Sequence, residues 1–167
     1  TENDFPDSTS KCLYFTRNNS LCTYINGTGT PSDVTGIILP MQGFFVKTYG
    51  YEETVNLSPN ARTHDKVHQR YKGSKALIPL VRLALAEGDL TDETVVRFDE
   101  MAKSTLDNNF DALKIFDTSE DLSIYSLAGD TKFAINGLPF PETKVEIPIA
   151  VNLTTDGNHT IASTQLQ

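Results

Sequence analysis

Two imidazoles one helical turn apart are the first residues in this chain whose types and spacing could do chemistry. In His64-Asp65-Lys66-Val67-His68 the i, i+4 spacing would put both rings on one helix face as zinc ligands. The carboxylate between them would then serve as general base in a small metal-dependent hydrolase. The local sequence argues for a simpler reading. The usual metalloprotease helix carries Glu beside the first His, and here the shorter Asp65 stands there. The flanks Asn60-Ala61-Arg62 and Gln69-Arg70-Tyr71-Lys72-Gly73 are polar, and Arg62, Lys66, Arg70 and Lys72 would repel a cation. A polar loop with scattered histidines accounts for the same residues.

Asp107-Asn108-Asn109-Phe110-Asp111 offers side-chain oxygens of the kind Ca2+ prefers, with Asp107, Asn109 and Asp111 as the candidate ligands. The stretch lacks the central Gly and terminal Glu of a full calcium loop. A turn capped by Asp107 with Phe110 buried explains it equally well. For sugar binding, Tyr49, Tyr51 and Tyr71 border the polar excursion and are the candidate stacking surface, although the chain has no tryptophan. No Gly-x-Ser-x-Gly elbow and no glycine-rich phosphate loop is present, so neither catalytic residues nor an organic cofactor are assigned. Cys12 and Cys22 flank a hairpin-like segment. They could form a cross-strand disulfide if they oppose one another, or stand as two buried thiols, and the sequence does not fix the register.

The elements that must position these residues are short, strand-like runs between turn signals. Lys11–Phe15 and Leu21–Ile25 form a first hairpin, followed by strands at Gly36–Leu39, Gly43–Lys47 and Glu53–Leu57. Ser58–Gly73 reads as a polar excursion. Ala76–Ala86 and Thr94–Phe98 pair across Glu87-Gly88-Asp89, with Pro79 marking a kink or edge. Asp99–Asp111 has at most one or two helical turns. Strands at Leu113–Phe116, Leu122–Ser126, Thr131–Asn136, Lys144–Asn152 and His159–Thr164 follow, with connections at Gly129-Asp130, Asn136-Gly137 and Asp156-Gly157. Without a helix of crossover length, this pattern predicts an all-β fold, an antiparallel, jelly-roll-like β-sandwich. Residues 1–10 read as a linker-like segment and 11–167 as one sandwich domain.

Composition narrows the partners. Fourteen basic against twenty-two acidic residues give a net charge of −8, which disfavours a nucleic acid backbone or an anionic membrane surface. No apolar run approaches the ~20 residues of a membrane helix, so no membrane insertion is expected.

The segment Ile37-Ile38-Leu39-Pro40-Met41-Gln42-Gly43-Phe44-Phe45-Val46-Lys47 is similar to a P-x-Q-G-F-F-V signature of large bacterial surface proteins exported by type IX secretion. There it lies in a β-rich region before the C-terminal sorting domain. Further pieces match in order: Ala61-Arg62-Thr63-His64, Leu80-Val81-Arg82-Leu83, Phe110-Asp111-Ala112-Leu113-Lys114 and Phe133-Ala134-Ile135-Asn136-Gly137-Leu138-Pro139. The resemblance implies a secreted or outer-membrane-surface location in a Gram-negative bacterium and carries over no catalytic residue. It also recasts His64 as part of a structural Arg-x-His element. Such relatives open with a further strand and close with a sorting domain, so the expectation is an internal piece with an exposed sheet edge. The function expected is a non-catalytic structural or adhesive module of a larger surface protein. Its partners would be other domains of the same parent chain and a glycan or a host or cell-surface protein. The alternatives are a carbohydrate-binding module and the His64/His68 hydrolase.

Overall fold

The computed structural model describes residues 10–17, 20–49, 54–55, 59, 78–116 and 122–167. The fold is all-β and sandwich-like. β1 (Leu13–Arg17), β2 (Ser20–Ile25) and β3 (Thr28–Thr30) form a three-stranded antiparallel sheet. The second sheet holds β4 (Leu80–Glu87), β5 (Leu90–Phe98), β6 (Ala112–Leu113), β7 (Leu122–Ala128), β8 (Thr131–Leu138), β9 (Ile149–Leu153) and β10 (Thr160–Leu166). Its order is β10-β4-β5-β8-β7-β9, with β6 alongside β8, and it curls into a half-barrel.

Local chemistry accounts for the hairpins. Gly88 and Gly129 take the positive φ values of 57° and 58° that tight turns demand, and each closes its hairpin at the expected place. Pro79 has no N–H for a ladder, and β4 starts immediately after it.

β8 organises the curl. It pairs antiparallel with β7 over Thr131–Phe133 and parallel with β5 over Ile135–Leu138. The sequence pattern predicts a predominantly antiparallel fold, and among the described residues this one parallel pair is the exception. No crossover helix makes it. Instead the chain leaves β5, passes through the turns of residues 99–111 and returns by the β7–β8 hairpin.

Several local expectations fail for identifiable reasons. Asn136-Gly137 reads as a turn, yet both residues lie inside β8. Gly137 is required there by close approach, because a Cβ on it would sit 2.5 Å from the Phe110 Cβ. Lys144–Pro148 alternates as a strand should, but only Ile149–Leu153 enters a ladder, opposite β7. Gly36–Leu39 and Gly43–Lys47 are not strands either. Among the described residues a single bridge joins Phe45 to Tyr14, through Tyr14 N–H to Phe45 O (3.0 Å) and Phe45 N–H to Tyr14 O (2.7 Å). Phe45 is 64% exposed. Residues 99–111 carry turns and no helix, and Glu53–Leu57 falls mostly outside the described residues.

Among the described residues the core has three clusters, one of which is Phe15, Cys22 and Val34 on the small sheet. Cys12, Tyr14 and Ile25 of the small sheet and its approach pack on Leu80, Val95, Ala112 and Ile135, joining the two sheets. Within the curl, Leu85 of β4 packs against Leu122 and Ile124 of β7. A fully buried Leu, Ile or Val contributes about 1.5–3 kcal/mol.

Candidate functional site

Of the sequence candidates, His64, His68, Tyr51 and Tyr71 lie outside the described residues. Tyr49 is 44% exposed, and the Lys47 ammonium sits 5.1 Å above its ring. Burial of its hydroxyl end, with smaller contributions from Asp111 and Cys12, raises its phenol above the ordinary value. The ring therefore already carries an intramolecular cation, and it is the one member of the proposed aromatic surface whose setting is described.

The Asp107–Asp111 stretch is a structural anchor. Asp107 Oδ1 accepts the Asn109 N–H at 2.9 Å, which shapes the turn. Both oxygens of the buried Asp111 accept backbone N–H groups, Oδ2 from Asp107 and Oδ1 from Gly137, each at 2.7 Å. One carboxylate thus ties the 99–111 connection to β8. Asn109 contributes its N–H to the turn. Among the described residues, no group of three His, Cys, Asp or Glu side chains has the arrangement of a metal site.

The cysteines do not oppose one another. The β1–β2 register sets Cys22 against Phe15, and Cys12 is three residues earlier in the chain. Strand side chains alternate in direction, so Cys12 packs with Tyr14 and Ile25 while Cys22 packs with Phe15 and Val34. Both are thiols and no disulfide joins them, which corrects the cross-strand alternative. Burial raises the Cys22 thiol above its ordinary value, which disfavours the reactive thiolate.

His159 approaches Glu87 at 3.2 Å, within ion-pair range but not aligned as a hydrogen bond. The Thr155 hydroxyl donates to the same carboxylate at 2.8 Å. The hydroxyl is spent on the carboxylate, so no nucleophile–imidazole pair forms here.

The charged groups that pattern reading missed are buried in the strands. Arg97, 2% exposed, donates to Asn26 O (2.6 Å) and Thr28 Oγ1 (3.1 Å), and stacks on Phe110 with its guanidinium carbon 5.5 Å from the ring centre. Arg82, 3% exposed, bonds Glu93 Oε2 (2.8 Å) through Nη1 and Gln165 Oε1 (3.2 Å) through Nε. Lys114 and the Ile124 N–H both donate to Asp92 Oδ2, which serves the β7 backbone beyond its pairing with β8. Strand alternation could have flagged the two arginines. Arg97 shares a face with Val95, and Arg82 with Leu80, so both must point inward.

The P-x-Q-G-F-F segment also has a definite local structure. Gln42 N–H donates to Leu39 O at 3.1 Å, closing a turn with Pro40 at its second position and Met41 at its third. Met41 takes the left-handed φ of 67°. The Gln42 side chain accepts the Leu39 N–H at 3.0 Å and donates to Thr16 O at 3.3 Å, fastening the turn to β1. Met41 is held fully in solvent at its tip. Gln42→Ala should cost about 1 kcal/mol in urea unfolding and speed hydrogen exchange at the Leu39 amide. Unchanged exchange there would refute the role given to this side chain.

No helix of the described residues is long and apolar enough to cross a membrane, which says nothing of strands. No curated protein and no solved structure matches the chain. One family of protein domains does, over residues 3–167, nearly the whole length. The chain therefore belongs to the family described as Domain of unknown function (DUF8693).

Proposed function

We propose that this chain is a non-catalytic structural or adhesive module of a larger exported surface protein. The observation that carries the reading is how its buried charges are used. Arg97 links β5 to the β2–β3 turn, Arg82 links β4 to β5 and β10, Lys114 links the segment after β6 to β5, and Asp111 links the 99–111 connection to β8. Enzymes concentrate perturbed ionisable groups around a cleft with open valences. Here the buried charged side chains each spend bonds on contacts between strands, as a scaffold requires. The Pro40–Gln42 turn adds an adhesive element, a rigid tip that displays Met41 with Leu39 and Phe45 exposed beside it. Similarity of this segment to the signature of type IX-exported proteins supports a cell-surface setting, with neighbouring domains of the parent chain as partners.

The purified chain should show no turnover on ester, phosphate, glycoside and peptide substrates. Its thermal unfolding should be a single cooperative transition. Turnover that co-purifies with the chain and disappears when a surface residue is replaced without loss of folding would overturn the proposal.

A further inference from the structure

The geometry points to a carboxylate-binding site on Arg82, in the groove between β3 and the β4–β10 edge. This inference stands independently of the scaffold reading. The groove has a volume of about 150 Å³ and is lined by Thr28, Ser32, Leu80, Arg82, Gln165 and Gln167 among others. Its floor is a built feature, because the Arg82 side chain is only 4% exposed and is held from two sides. Glu93 takes Nη1 at 2.8 Å, and Gln165 Oε1 takes Nε at 3.2 Å. Nη2, with two N–H groups, has no partner among the described residues.

The surrounding chemistry is donor-rich. Arginine has no acceptor, so Gln165 must turn its oxygen toward Nε, and this leaves its amide NH2 for the groove. Thr28 Oγ1 already accepts from Arg97, so its hydroxyl hydrogen is available to donate elsewhere. Ser32, on the exposed rim, adds a further hydroxyl. A ligand matching these groups offers acceptors only, and a planar carboxylate on the guanidinium edge does so best. Glu93 already neutralises Arg82, so one further negative charge is the most this floor supports in a chain of net charge −8. That selects a monocarboxylate over a phosphate or sulfate. The named lining residues include no aromatic ring for a sugar face. The carboxylate therefore belongs to a peptide, either an acidic side chain or a chain terminus.

The test is an amide and arginine side-chain NMR titration of the intact chain at constant ionic strength. Sodium acetate and N-acetylglycine should give saturating shifts at Gly27–Gly29, Ser32, Gln165 and the Arg82 Nε–H, with affinity of about 1 mM or weaker for so small a ligand. N-acetylglycinamide, which lacks the charge, should give none. Ser32→Glu places a tethered carboxylate at the groove rim and should abolish the response while leaving the thermal transition unchanged. That variant keeps the test decisive if Arg82→Gln fails to fold. Shifts that do not saturate, that scatter over the surface, or that persist in Ser32→Glu would overturn the site. Tighter binding of glucuronate than of N-acetylglycine would overturn the peptide source.

Discussion

Arg97→Met should destabilise the fold by about 3–5 kcal/mol, the cost of removing one partner from a buried charged network. Methionine keeps much of the side-chain length and can still touch Phe110, so the loss reports hydrogen bonds and charge more than volume. The groups that lose their donor include the Asn26 carbonyl, the Thr28 hydroxyl and the Asp99 carboxylate, whose Oδ2 lies 3.4 Å from Nη2. Asp99 can turn to water because it is partly exposed, whereas Thr28, 3% exposed, has far less access to it. Arg97 ties β5 to the β2–β3 turn, beside the bond of Thr30 Oγ1 to Glu93 O at 3.5 Å. The variant should therefore show amide exchange rising first in β2 and β3, at denaturant concentrations where β4 and β5 stay protected. Urea unfolding followed by hydrogen exchange measures both effects. A loss below about 1 kcal/mol, the range of an ordinary surface substitution, would mean that the bonds to β2–β3 contribute little.

Asp111→Ala should cost about 2–6 kcal/mol, because it strands two buried N–H groups, those of Asp107 and Gly137, at about 1–3 kcal/mol each. The same carboxyl also makes stability depend on pH. Burial pushes its pKa up to about 6 from the ordinary 3.8, against the opposing effect of the two N–H donors. The folded state thus favours the protonated form relative to the unfolded chain. This contribution is fully present below pH 3.8 and is lost as pH rises through about 6. Its size is on the order of 2–3 kcal/mol. Asp111→Asn cannot titrate and presents an NH2 to one of the two N–H donors, so it should be less stable than the parent at every pH. The gap between parent and Asn variant should shrink as pH rises from about 4.5 to 8. Urea midpoints across that range test the sign, and a gap that widens with pH would show that the hydrogen bonds outweigh burial at this carboxylate.

The fold was legible in the sequence wherever local chemistry decided the outcome. Leu80–Glu87 and Leu90–Phe98 pair where Gly88-Asp89 demanded a turn, and Gly129-Asp130 did the same for β7 and β8. Lys144–Pro148 failed because alternation reports a half-buried surface and not the presence of a neighbouring strand to bond. Asn136-Gly137 failed because a glycine needed for close approach to Phe110 reads the same as one needed for positive φ. The disulfide alternative turned on the register of β1 against β2, and a shift of one residue reverses every side chain.

The candidate site was less legible. Asp107 and Asp111 were found by their oxygens, but only the fold shows that Gly137, twenty-six residues further on, takes one of them. The Arg82 groove joins residues from β3, β4 and β10, and nothing in their local sequence announces the meeting. By itself the sequence determined an all-β chain, its principal hairpins and its acidic surface, because turn chemistry, period-two patterning and charge are local properties. Tertiary structure alone decided the parallel β5–β8 pair, the separation of the two cysteines and the partners of each buried charge. Those depend on which strands meet, and contacts between residues distant in sequence are fixed by packing of the whole chain.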